Sequence, residues 1–200
     1  GDWSSDVCSS DLHTAAGFTC NTGDRTVTAV ISDYTGVDTT LAPKIYFKKN
    51  SGTWYSAAGT RTAGTYKNGT WSFVIGAATM GGLVPNDVVS YYIVAQDLAT
   101  PTANMGSLPG GAVMTNVNTV TTAPTTPYSY SIGTQLSGTY PVGAGQAANG
   151  GFNTLTAAAA AYNVNCLSGN VVFQLMDTLY STTTETFPVT RSEEHTSELQ

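Results

Sequence analysis

The run that most suggests chemistry is Gly143-Ala144-Gly145-Gln146-Ala147-Ala148, which satisfies the pattern G-x-G-x-x-[GA]. Glycines at these positions let a loop close around a pyrophosphate, while the next helix presents its N-terminus and a later acid takes the ribose. Asp177, at the end of the following strand, is the acid on offer. Two features count against a dinucleotide site. The predicted helix begins some residues too late to face a phosphate, and Asp177 lies 29 residues beyond Ala148, where about 20 is usual. The stretch after Asp177 is Thr-rich and β-like, with no second helix. A flexible Gly/Ala loop is expected there.

Acid–base chemistry has little to draw on. Between residues 13 and 190 there is one histidine, His13, and seven carboxylates: Asp24, Asp33, Asp38, Asp87, Asp97, Asp177 and Glu185. Most stand beside Gly, Pro or Asn at the ends of apolar runs, where an Asp side chain stabilises a turn by bonding nearby backbone. No G-x-S-x-G elbow, H-E-x-x-H helix or Cys/His cluster is present. The sequence therefore assigns no catalytic residue, no metal ligand and no cofactor. Asp33, Asp38 and Asp97 would share a calcium ion only if loops at one end of the fold converged; separate turn carboxylates are expected. Cys20 and Cys166, 146 positions apart, match neither a zinc spacing nor a redox pair. Two separate buried thiols are expected, with a long-range disulfide as the alternative.

Binding chemistry is better supplied. Trp54, Trp71, Tyr46, Tyr55 and Tyr66 carry rings able to stack on sugars. Trp71 alternates with Phe73 and Ile75 and belongs to a core. Trp54, beside the Ser51-Gly52 turn, and its neighbour Tyr55 are the candidate glycan contacts. Asn68-Gly69-Thr70 matches a glycosylation sequon, but a hairpin turn explains it. The formal charge of −6 excludes the basic footprint of nucleic-acid binding. No apolar run is long enough for a membrane-spanning helix.

The acidic balance comes from the ends. Residues 1–12 hold Asp2, Asp6 and Asp11; residues 191–200 hold Glu193, Glu194, Glu198 and Arg191, which leaves 6 Lys+Arg against 7 Asp+Glu between them. RSEEHTSELQ resembles a translated sequencing adapter, and WSSDVCSSDL resembles its reverse strand. Both are expected to be artefacts, so Trp3, Cys8 and His195 carry no function. The chain is then an internal piece of a longer protein, and the lack of a signal peptide says nothing.

The elements that position these residues are mostly strands. Charged residues are scarce between 13 and 190, while Thr, Gly and Tyr are common, which suits extended chain and tight turns. Val27, Ala29 and Ile31 share one face of a strand. PKIYFKK (43–49) is a second, and Lys67-Asn68-Gly69-Thr70 predicts a tight turn leading into Trp71, Phe73 and Ile75. VVSYYIVAQ (88–96) is apolar on both faces and so central. Residues 98–118 read as a long loop, 119–122 as a weak strand, and 123–137 as a linker or last edge strand. Beyond it, 138–142 is a short strand, 143–151 a loop and 153–163 a helix capped by Thr154. Cys166-Leu167-Ser168-Gly169 is read as a turn into a strand over 170–176.

The series AVISDYTGV, PKIYFKKN, GTWSFVI and NDVVSYYIVAQD resembles the immunoglobulin-like, fibronectin type III-like modules of large secreted bacterial surface proteins. GTYPVGAG, the helix, CLSGNVVFQLMD and ETFPV resemble the opening of right-handed parallel β-helix domains. The fold class expected is mainly β: a sandwich over 13–122, a linker over 123–137, and the cap and first rung of a β-helix over 138–190. Val171, Phe173 and Leu175 should face the interior of that rung. The resemblance implies a non-catalytic structural or adhesive module, extracellular or on the surface of a Gram-negative bacterium. Its partners would be an extracellular glycan or another surface protein. The alternative is an accessory region of a secreted polysaccharide lyase or hydrolase whose active site lies beyond residue 190.

Overall fold

The computed structural model describes residues 13–190; both adapter-like tails lie outside the described residues. The chain is mainly β and divides into two compact units at Ile132/Gly133.

In the first unit, β1 (Arg25–Ser32), β5 (Asn68–Ile75) and β4 (Thr60–Gly64) form one antiparallel sheet in the order β1-β5-β4. The second sheet runs β10-β6-β2-β3, built from β10 (Tyr128–Ser131), β6 (Val88–Gln96), β2 (Lys44–Lys49) and β3 (Tyr55–Ala58). β7 (Met105–Leu108) pairs with the last residues of β6, along the edge that β10 occupies at its start. Alternation decides the inner faces. Val27, Ala29 and Ile31 meet Trp71, Phe73 and Ile75 across one sheet, and Ile45, Phe47, Val89, Tyr91 and Ile93 come from the other, all in one buried cluster. Side chains at every second position leave a strand on the same side, so one register fixes the whole face.

β6 is apolar on both faces because both are covered. Its outer residues Tyr92 and Val94 are buried with Val117 under the hairpin of β8 (Val113–Asn116) and β9 (Thr119–Thr122). The hairpin is fixed where the Tyr46 hydroxyl donates to the Val117 carbonyl (2.9 Å) and the Val117 N–H donates to Gln96 Oε1 (3.1 Å). The expected long loop at 98–118 is thus corrected: it contains β7 and β8. MGSL and VMTN are too short, and the first too rich in small residues, to carry a readable period. The stretch 123–137 supplies β10, the last edge strand of the sheet.

The Asn68-Gly69 turn is also corrected. Those two residues open β5, opposite Gly64, and the reversal lies before them at residues 64–68, where Thr65 N–H donates to Asn68 O (2.7 Å). The positive φ (73°) falls on Gly64. Gly69 is needed for close approach instead, since a Cβ there would sit 2.5 Å from the Thr65 carbonyl oxygen.

The second unit pairs β11 (Gln135–Val142) in parallel with β12 (Cys166–Leu175), with α1 (Leu155–Val164) in the crossover. Thr154 caps α1, its Oγ1 accepting the Ala157 N–H at 3.0 Å. β12 begins at Cys166, where a turn was expected. The pair Leu136–Leu167 is followed by Gly138–Val171, so Ser168, Gly169 and Asn170 bulge from the ladder opposite Ser137 within β12. Val171 and Phe173 face α1, lining a cleft with Leu155, Ala159 and Tyr162. Leu175 does not join an interior: it is 53% exposed.

Candidate functional site

Trp54 and Tyr55 are neighbours in the chain but not in one platform. Trp54 is half-buried in the outer cluster, edge-on to Tyr92 at 4.9 Å, with the Lys48 ammonium 4.8 Å from its ring centre. Tyr92 in turn stacks on Tyr46 at 5.3 Å and 6°. Burial, and then the neighbouring Tyr46, push the Tyr92 hydroxyl up to about 12. Tyr55 lies 6.4 Å from Phe47, a residue of the inner core. The two candidate rings therefore serve opposite faces of the sheet, Trp54 from the residue before β3 and Tyr55 from its first. Trp71 is buried in the core with Phe73 and Ile75. Its Nε1 and the hydroxyl of Tyr130 are buried without a hydrogen-bond partner among the described residues. Burial, first of all, drives Tyr130 up to about 12.

The glycine-rich loop is closed by the protein's own groups. The Ala144 N–H donates to Asp177 Oδ2 (2.9 Å) and the Ala147 N–H to Asn153 Oδ1 (3.0 Å). Gly143, Gln146 and Ala148 donate to backbone carbonyls at 152, 143 and 145. The start of α1 is filled too. Glu185, 6% exposed, accepts from the Leu155 and Thr156 amides (2.7 Å each) and from Thr156 Oγ1 (2.6 Å). Burial works against its charge, but these bonds outweigh it and hold the carboxyl below its ordinary value. An anion at a helix N-terminus is favourable on both dipole and hydrogen-bond grounds. Here the anion is a side chain, and Asp177 grips the loop amide that a phosphate would use.

The other carboxylates are turn and loop clamps. Asp33 Oδ1 accepts from Gly36 N–H (2.7 Å) and Thr35 Oγ1 (2.6 Å), and Asp38 Oδ1 from the Thr40 (2.8 Å) and Leu41 (3.0 Å) amides. Asp97 holds the amides of Ala99 (3.1 Å) and Asn104 (2.7 Å). Asp24 accepts from Ala77 N–H (2.8 Å). Asp87 binds the Val84 amide (2.9 Å) and Asn50 Nδ2 (2.8 Å), with Lys49 at 3.9 Å. Burial would raise the Asp87 carboxyl, yet these partners bring it below its usual range. Among the described residues no three groups from His, Cys, Asp and Glu gather as a metal site.

Two features were not legible in the sequence. His13 is 6% exposed, its Nδ1 2.7 Å from Thr28 O and its Nε2 2.9 Å from the Tyr91 hydroxyl, which also accepts the Ala16 N–H at 2.8 Å. In the neutral tautomer that serves the carbonyl, Nδ1–H donates to Thr28 O and the tyrosine O–H donates to Nε2. His13 thus pins the segment before β1 to the core. Cys20 and Cys166 are both half-cystines, which corrects the expectation of free thiols. A lone histidine and two distant cysteines have no period or spacing to betray such roles.

Searches against protein-family models, curated proteins and solved structures return no match for this chain.

Proposed function

We propose that the chain is a non-catalytic structural or adhesive module of a bacterial cell-surface protein, extracellular, with glycan as its candidate ligand. The observation that carries this reading is the use made of the carboxylates. Each of the seven between residues 13 and 190 accepts a backbone N–H from a turn, a loop or the start of α1. A general acid or base must reach a substrate proton; these groups hold backbone in place. The half-cystine state of Cys20 and Cys166 supports an oxidising compartment.

The strand order supports an immunoglobulin-like, fibronectin type III-like sandwich for the first unit. One sheet is β1-β5-β4 and the other is centred on β2 and β6, with the segment before β1 bridging Thr19 to Ile132 in parallel. The parallel pairing of β11 with β12 around one helix supports the start of a parallel β-helix in the second. The test is to incubate the purified chain with pectate, alginate, xylan and cellulose while assaying reducing ends and unsaturated products. The expected result is retention on at least one polysaccharide without turnover. Sustained product release, abolished by replacing one of the seven carboxylates, would overturn the reading.

A further inference from the structure

We infer that the first unit carries a saccharide-binding dish at the end of its sheets remote from Ile132, centred on Tyr34; this rests on the glycan reading above. The Tyr34 ring is 90% exposed, yet the turn that carries it is pinned from several sides. Asp33 N–H donates to Lys67 O (2.9 Å), Val37 N–H to Tyr66 O (2.9 Å) and Leu98 N–H to Gly36 O (3.0 Å). Thr35 Oγ1 reaches both Asp33 Oδ1 (2.6 Å) and Asp97 Oδ2 (3.2 Å). A large ring held in water on a fixed turn is costly to hydrate and needs little further ordering to bind, which is the economy of a preorganised contact. Tyrosine suits this place because its face is apolar while its edge carries a hydroxyl.

Around the ring lies an open dish of about 500 Å³ lined by Ser32, Asp33, Tyr34, Lys67 and Asn68. The Lys67 ammonium stands 5.2 Å from the Tyr34 ring centre. The lining thus joins one stacking face to a hydroxyl, a carboxamide, a carboxylate and an ammonium, a mixed set of donors and acceptors. Their charges cancel, one against one. That chemistry matches a neutral pyranose, whose C–H face stacks on a ring while its equatorial hydroxyls both donate and accept. A phosphate or carboxylate ligand would meet Asp33 as well as Lys67. The position is also suitable. Asn86 N–H donates to Ile132 O beside the start of β6, and the dish lies beyond its other end, roughly 30 Å away at about 3.3 Å per residue. The ligand site thus sits where the chain does not leave the unit.

The test is an amide-resonance titration of the full chain with cellohexaose, laminarihexaose, mannohexaose and xylohexaose, and with hexagalacturonate as the charged arm. At least one neutral oligosaccharide should shift residues 32–36 and 67–68, and Tyr34→Ala should weaken it at least tenfold with the other resonances unmoved. Tyr66→Ala is the control. Its ring lies under Arg61 at 4.0 Å and outside the dish lining, so affinity should stay within twofold. Shifts confined to residues 52–56 that survive Tyr34→Ala would overturn this site while leaving a glycan-binding module. No shift from any neutral oligosaccharide, or tighter binding of hexagalacturonate than of all four, would overturn the inference itself.

Discussion

The two units reach order by different means. In the first, two sheets close on one apolar core whose members include Ile45, Phe73, Ile75, Val89 and Tyr91, all essentially inaccessible to water. In the second, a two-strand parallel sheet and one helix leave Val172 (52%), Leu175 (53%) and Leu179 (73%) in water. Side-chain oxygens take over there. Asp177 holds the glycine-rich loop, and Glu185 holds the start of α1. The Tyr180 hydroxyl donates to Val142 O at 2.6 Å while receiving the Met176 amide at 3.1 Å. Burial of apolar area is non-directional and large, about 25 cal/mol per Å². A hydrogen bond is directional and nets only about 1 kcal/mol. The first unit should therefore resist local change, and the second should depend on a few named contacts.

The largest effect expected on this contrast comes from Phe73→Ala, which should cost roughly 3–5 kcal/mol in denaturant unfolding of the first unit, the range for a deleted core aromatic. A cost under about 1 kcal/mol would place Phe73 at the surface and remove the basis of the comparison. Gly59→Ala comes next. Its Cβ would enter the Phe73 ring, so about 1–3 kcal/mol of overpacking is expected, and the double variant with Phe73→Leu should recover part of it.

Acid should act on each unit through one carboxylate, Asp87 in the first and Glu185 in the second. Glu185 lies below its ordinary 4.5 when folded, so its contribution is complete above that value and is lost as pH falls through the lower folded one. Circular dichroism of α1, followed from pH 6 to pH 2, should show this loss, and Glu185→Gln should flatten it. An unchanged acid profile in that variant would assign the helix start to something other than Glu185. The smallest effect is Tyr130→Phe. The hydroxyl is buried with no partner among the described residues, so removing it should change stability by less than about 0.5 kcal/mol or raise it. A loss above about 1 kcal/mol would show that the hydroxyl is bonded.

What was legible in the sequence follows the same division. Alternation placed Val27, Ala29, Ile31, Trp71, Phe73 and Ile75 on buried faces, because a half-buried strand writes its geometry at every second residue. VVSYYIVAQ read as central for the same reason. Thr154 was legible as a cap because capping is local. The rest depends on partners far along the chain. Glu185 reaches α1 across 29 or 30 residues and His13 reaches Tyr91 across 78, and no local pattern encodes either. Trp54 and Tyr55 were legible as rings beside a turn, but their separation onto two faces needed the sheet. Tyr34 stands in the run AVISDYTGV with nothing local to mark it; its exposure depends on Lys67, Gly36 and Leu98 meeting there.

Hydrogen exchange read by mass spectrometry tests the contrast between the units most directly, through the amides of 88–96 in β6 and 171–175 in β12. β6 is paired along both edges and β12 along one, so the comparison is confined to amides that are hydrogen-bonded within each ladder. The expected result is exchange at 171–175 at least tenfold faster than at 88–96 near neutral pH, by local opening of the second unit while the first stays closed. Equal protection of the two segments, in a chain that remains monomeric, would mean that the second unit has a core as cooperative as the first and would contradict the account.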